Sequence, residues 1–375
     1  MRIAVNTRFM QPNQLEGYSY FTKEVFFRLA EQHPQHQFIF FFDKPFDTAF
    51  ILPENVEPVI VNSKARHVLS LRWWFDVKIP LALKKYKADL FVSPDGFCSL
   101  ITNIPQVLVV HDLAFLHHPK FVSKYLSWFY RRYKPKFIQK AKVVCTLSEF
   151  SKQDIMRQYK VAEEKIWNVG SPAKTIFKPI DWQEREKTKE ELAGGCEYFI
   201  YVNSSHSGKN LMKLLKAFSI FKKWQKTNMK LLVVETLAGQ TNSIMEKLKT
   251  FKYRDEVKML GYLPEDELAN VVASAYALIF PGFFGGPGVS IIEALQCEVP
   301  VITSDKSSMR EFADEAALYA DTSKVEEIAA QMKTIFKDEQ LRSKLIAAGK
   351  IQAQNFTWEK TAQLMWQGIQ QAVSA

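Results

Sequence analysis

The sequence predicts an α/β protein built from two doubly wound domains, and three observations carry that expectation. Short apolar runs alternate with longer amphipathic stretches from one end to the other, the pattern of parallel strands joined by crossover helices. These runs fall into two sets with a charged stretch between them. The 375 residues also exceed what one hydrophobic core ordinarily serves. In the first set Arg2–Asn6, Gln37–Phe42, Val59–Val61, Leu90–Val92, Gln106–Val110 and Val143–Thr146 are strand-like. The second set runs Tyr198–Val202, Lys230–Val234, Val257–Met259, Ala277–Phe280, Val299–Thr303 and Ala317–Tyr319. Lys178–Gly195, rich in charge and closed by Gly194-Gly195, reads as the boundary. The last segment, from Phe356-Thr-Trp-Glu359 to Val373, reads as an amphipathic helix.

Composition narrows the class. Hydrophobic residues make up 47% and charged ones 24%, as in an ordinary globular chain. Cys98, Cys145, Cys196 and Cys297 lie far apart without a Cys-x-x-Cys pair, which argues against a structural zinc and a disulfide framework and fits a reducing cytoplasm. No signal-peptide pattern opens the sequence, and no run approaches the roughly 18 apolar residues of a spanning helix. The net charge of +10 implies an anionic partner: nucleic acid, acidic lipid or a phosphorylated substrate. Basic residues gather with aromatic ones from Arg66 through Arg72-Trp-Trp-Phe to Lys84-Lys85, and again from Lys124 through Arg131-Arg132 to Lys134. Such stretches suit a solvated amphipathic helix face, a lipid surface or single-stranded bases. No motif that reads RNA or DNA supports the last, and nucleic acid is not an expected partner.

The most informative segment runs from Phe280 to Asp305. A strand end, Leu278-Ile-Phe280, meets a loop with Gly285, Gly286 and Gly288, whose backbone amides can approach a ligand; a helix then opens near Ser290, where anions are favoured. The helix carries Glu293. Ser290-x-x-Glu293 is also a capping box, in which the glutamate merely serves the helix start. Earlier, the strand Phe199-Ile-Tyr-Val202 leads through a polar loop to Lys209-Asn210-Leu211, placing an ammonium at a strand-to-helix junction where a phosphate would dock. His111-Asp112 ends the strand Gln106–Val110 at another carboxyl edge; a strand-end histidine is either a ligand contact or a core residue bonded to backbone. His117 and His118 read as structural. The sequence contains no Asp-x-Asp pair for a metal, so the charge of an anionic ligand would fall to a side-chain cation and to helix-start amides.

The Phe280–Asp305 segment, Lys209-Asn210-Leu211, Val109-Val-His-Asp-Leu113, Leu147-Ser-Glu-Phe-Ser151, Gly261-Tyr-Leu-Pro-Glu265 and Thr357-Trp-Glu359 together resemble the retaining glycosyltransferases of the family 4-like, "group 1" type. The resemblance spans essentially the whole chain and is closest from 198 to 320. It implies the GT-B fold: two Rossmann-like doubly wound domains facing across a cleft, residues 1–180 on the acceptor side and 181–355 on the nucleotide-sugar side, with a C-terminal helix, 356–375, returning to the first. It implies a hexosyltransferase that moves a sugar from a UDP-, GDP- or ADP-linked donor to a glycan or lipid-linked acceptor with retention and without a metal or other cofactor. Lipopolysaccharide or exopolysaccharide biosynthesis is the implied setting, in the cytoplasm, with peripheral contact at the inner face of an anionic membrane. By the same resemblance His111 and Lys209 are catalytic, while Gly17, Asn210, Gly285, Gly286, Gly288, Val289 and Glu293 bind the donor, Glu293 through the ribose. The chain departs from the family at Gly285, where a glutamate is common, at Ser204, where an arginine is common, and at Pro287, which removes a backbone donor. These departures leave open a homologue that binds nucleotide sugar without transferring it.

Overall fold

The computed structural model describes residues 1–10, 17–46, 51–62, 68–119, 122–203, 210–235, 246, 248–282 and 288–374. The chain divides into two compact units, Met1–Ser171 with Thr357–Ala375, and Pro172–Phe356. Each contains a parallel sheet among its described residues. In the first unit β1 (Arg2–Asn6), β2 (Gln37–Phe42), β3 (Val56–Ile60), β4 (Leu90–Ser93), β5 (Gln106–Val110), β6 (Val143–Thr146) and β7 (Ile166–Asn168) lie in the order β3-β2-β1-β4-β5-β6-β7. In the second, β8 (Tyr198–Asn203), β9 (Lys230–Glu235), β10 (Val257–Gly261), β11 (Ala277–Phe280), β12 (Val301–Thr303) and β13 (Ala317–Tyr319) lie in the order β10-β9-β8-β11-β12-β13. Both orders reverse direction once, between β1 and β4 and between β8 and β11, which is the doubly wound, Rossmann-like arrangement.

These strands read as continuous apolar runs because both faces are covered. Ile3 and Val5 enter one core of the first unit while Ala4 enters the other. Tyr198, Ile200 and Val202 likewise alternate with Phe199 and Tyr201 between the two cores of the second unit. Where strands differ from expectation, proline or length explains it. β3 begins at Val56 because Pro58, which lacks an N–H, is tolerated on an edge strand, where it pairs with Phe40. β12 begins at Val301 because the Val299 amide donates to Ala294 O at the preceding helix end. The three residues of β7 are too few to show a period.

The division falls at Ser171/Pro172 rather than near residue 180, since Ala173 and Phe177 are buried in the second unit's core. Lys178–Gly195 is correspondingly no linker. Asp181 caps a helix, Trp182–Ala193, that ends at Gly194 in the left-handed conformation and packs on the second unit through Arg185 and Ala275 O (3.3 Å). Part of its charge is taken up in ion pairs, as where the buried Lys189 meets Glu197 (2.6 Å). The C-terminal helix, Trp358–Ser374, belongs to the first unit. Thr357 caps it, Trp358, Met365, Trp366 and Ile369 enter the core beside β5 and β6, and Glu359 pairs with Arg28 at 3.2 Å.

Candidate active site

In doubly wound sheets, ligands bind at the carboxyl ends of the two strands that flank the reversal. In the second unit these are β8 and β11. After β11 the chain passes Pro281 and Gly282 and re-enters the described residues at Gly288, which precedes the helix Val289–Gln296. Ser290 is therefore inside the first turn, and Gly288, which has no side chain to offer, occupies the cap position. The capping-box reading of Glu293 fails for that reason. Instead the half-buried carboxyl is pushed up to about 7 by loss of water, against the pull of the Lys174 ammonium and a hydrogen bond with Ser290. Lys174 pairs with Glu265 at the start of the helix Glu265–Ala273, so one cation serves two carboxylates.

Gly288 is buried for packing: a Cβ there would meet Ile291 Cδ1 at 3.2 Å and Met309 Sδ at 3.5 Å. Val289, half-buried, opens the helix. Asn210, expected to bind the donor, has its side-chain amide engaged within the fold. Its side chain is buried at the head of the helix Leu211–Trp224, and its amide donates to Pro281 O and to Thr322 O (3.1 Å). Asn210 thus ties the loop after β11 to the loop after β13. Thr303 adds a bond to Phe280 O at 2.9 Å. Lys209, Gly285 and Gly286, with Ser204 and Pro287, lie outside the described residues.

The carboxyl edge of the first sheet carries a second polar cluster. Asp95, just past β4, is 2% exposed and accepts from Asn6 Nδ2 (2.9 Å), Arg8 Nε (2.6 Å), Ser93 Oγ (3.0 Å) and Phe97 N (3.1 Å). Gly96 follows at φ +81°, and Lys134 Nζ donates to its carbonyl at 3.1 Å. A Cβ at Gly96 would sit 2.4 Å from that ammonium, so only glycine permits the approach. Burial lowers Lys134 to about 8, although Asp95 and Asp112 oppose the shift.

His111, past β5, is lowered to about 4 by burial and is neutral at working pH. Its Nε2 donates to Pro94 O at 3.0 Å, which places the proton there and leaves Nδ1 an acceptor. The ring lies edge-on to Tyr18 with centroids 4.1 Å apart. Ser151 Oγ donates to His111 O (3.3 Å), so the helix Glu149–Tyr159 braces this loop. Gly17, at φ +51°, precedes the helix Tyr18–Gln32 with nothing within 4 Å of its missing Cβ. His117 pairs with Asp154 at 2.7 Å, a structural bond.

The sequence reading missed Asn6, Arg8, Asp95, Lys134 and Lys174. A usable signal existed for Asp95: Ser93-Pro-Asp-Gly96 puts a carboxylate and a glycine directly after an apolar run, at the edge where ligands bind.

Two family models match the chain. "Glycosyl transferases group 1" matches residues 183–352, and "Glycosyltransferase Family 4" matches residues 18–169. The chain belongs to the family 4-like glycosyltransferases. Among its relatives, O-antigen chain mannosyltransferase B of Escherichia coli is 26% identical over 74% of this chain and 73% of that protein. O-antigen chain mannosyltransferase RfbU of Salmonella typhimurium is 24% identical over 74% of each. Among solved structures, the sucrose-phosphate synthase of Thermosynechococcus elongatus superposes with a TM-score of 0.79 at 17% identity, covering 99% of this chain and 98% of that one. HepE of Anabaena, in complex with UDP-glucose, gives 0.76 at 15% identity over 99% of both. At these identities the structural likeness shows the fold, which is GT-B.

Proposed function

We propose that this glycosyltransferase moves a hexosyl unit from a nucleotide-diphosphate sugar to a glycan or lipid-linked acceptor, with retention of configuration and without a metal. The observation that carries the reading is Glu293: a half-buried carboxyl at the second sheet's reversal point, on a helix it does not cap. A carboxylate held there at a desolvation cost is suited to accept two vicinal ribose hydroxyls. Lys209 and the amides around Gly285, Gly286 and Gly288 would neutralise the diphosphate as the anomeric C–O bond breaks. The acceptor oxygen would form its bond on the face the leaving group vacates, and its proton would pass to the departing phosphate oxygen. His111, neutral with Nδ1 as acceptor, would orient a sugar hydroxyl. The O-antigen mannosyltransferase relatives support an acceptor in cell-surface polysaccharide assembly and make mannose the first donor sugar to test.

Calorimetric titration with UDP, GDP, ADP and their hexose conjugates tests the donor. One nucleotide sugar is expected to bind more tightly than its bare nucleotide, and identical affinities in every pair would defeat the proposal. Glu293→Gln should weaken ribonucleotide binding by about 1.5–3 kcal/mol, the worth of hydrogen bonds to a charged group, and leave the 2′,3′-dideoxy nucleotide unaffected. Following the anomeric proton of the product by NMR tests retention, and transfer persisting in excess chelator tests independence from metal.

A further inference from the structure

We propose that Lys134 is a positioning residue for the transfer site: its ammonium pins the turn after β4, and that turn sets the orientation and the proton of His111. Lys134 lies on the inner face of the helix Lys124–Lys140 and is 8% exposed. Phe137 and Ile138, three and four residues on, share that buried face. A buried lysine ordinarily has a carboxylate for a partner. Here no described carboxylate forms an ion pair with it; Asp95 is paired with Arg8, and Asp95 and Asp112 act on Lys134 only at longer range. Its partners are instead the Gly96 carbonyl (3.1 Å) and the rings of Phe97 and Tyr130, 5.7 and 5.8 Å from the ammonium. A methionine would fill the same space without desolvating a charge, so the charge itself calls for a role.

The turn Pro94-Asp95-Gly96 is tied to a different element at each residue. Pro94 O accepts from His111 Nε2 (3.0 Å), past β5. Asp95 accepts from Asn6 and Arg8 at the end of β1. Gly96 O accepts from Lys134, and the missing Cβ at Gly96 is what admits the ammonium. Pro94 has no N–H by which it could be held, so the place of its carbonyl follows the two residues after it. That carbonyl fixes the His111 ring at Nε2, while Tyr18 and Phe21 meet the ring with centroids at 4.1 and 5.6 Å. Charge acts in the same direction: the ammonium opposes a second proton on His111, which Asp95 favours. The remaining groups facing Lys134 add no free charge at working pH. Burial pushes the Cys98 thiol up to about 12 and raises the Tyr130 phenol, and Arg8 is spent on Asp95. Lys134 therefore keeps the Nδ1 lone pair available in two ways, by holding the turn and by disfavouring imidazolium.

This inference rests on the reading of His111 as the group that orients a sugar hydroxyl, but its first test needs no substrate. Imidazole nitrogen NMR of the full-length protein, with His111→Asn assigning the signal, reads both tautomer and titration midpoint. Wild-type His111 should carry its proton on Nε2 and stay neutral down to about pH 4. In Lys134→Met, identified as folded by wild-type circular dichroism, the midpoint should rise toward the ordinary 6.5. For hydrolysis of UDP-, GDP- and ADP-mannose, kcat should fall about ten- to hundredfold with KM held within about twofold, as for a reacting group misplaced by up to about 1 Å. An unmoved midpoint in the folded variant, an unchanged kcat, or a wild-type His111 protonated on Nδ1 would each overturn the proposal. If Lys134→Met does not fold, the wild type carries the test: its His111 nitrogen signals should inflect near pH 8, as the ammonium loses its proton, and a flat trace would overturn the coupling. A raised midpoint in Lys134→Met, with no donor hydrolysed by the wild type, would leave Lys134 positioning His111 while removing the proposed function.

Discussion

At the scale of one residue, Glu293 ties the stability of the fold to pH. Its folded value near 7 lies above the ordinary 4.5, so the acid is protonated in both states below about pH 4.5 and exerts no effect there. As pH rises from 4.5 through 7 the folded chain must ionise a desolvated carboxyl, and stability falls until the loss is complete. Glu293→Gln should therefore melt above wild type at about pH 8 and with it at about pH 4, measured without ligand. A wild-type advantage at the higher pH would mean that the carboxylate is satisfied within the fold. If ribose hydroxyls stabilise the ionised form, nucleotide binding at about pH 6.5 should release a proton, seen as a buffer-dependent enthalpy. For His111 the sign is opposite: its value near 4 keeps it neutral, so the pH–rate profile should show no limb near the usual 6.5. A limb there that disappears in His111→Asn would place the imidazole in a wetter site.

Helices and loops carry the next level. A glycine-bearing loop between strand and helix is a local pattern, so Glu293 could be singled out as a candidate from sequence; whether Ser290 capped that helix was not legible, because capping turns on where the first turn begins. Asn210 teaches the same lesson. Its place after a strand and loop suggested a ligand, yet its amide holds carbonyls 71 and 112 residues away. Asn210→Ala should strand two buried carbonyls and lower stability by about 1–3 kcal/mol, read as a shifted urea midpoint. A shift under about 0.5 kcal/mol would show that the loops hold without it.

At the scale of the whole molecule, the first unit is completed by residues distant in sequence. Removing residues 357–375 would strip Trp358, Met365, Trp366 and Ile369 from its core. Each is worth about 1.5–3 kcal/mol of burial, and together they rival the 5–15 kcal/mol that ordinarily holds a domain. The truncated chain should lose hydrogen-exchange protection in β5 and β6 and keep it in β8 and β11, whose cores are separate. Equal protection in both sheets would refute that division. By itself the sequence determined the α/β class, nearly every strand, and the residue types at the second sheet's reversal point, because periodicity and turn chemistry are written in adjacent residues. Only the tertiary structure decided the unit boundary, the buried set of Asn6, Arg8, Asp95 and Lys134, and the release of Glu293 from capping. Arg8 and Asp95 lie 87 residues apart and meet because β4 lies beside β1 across the reversal, a neighbourhood that no local pattern encodes.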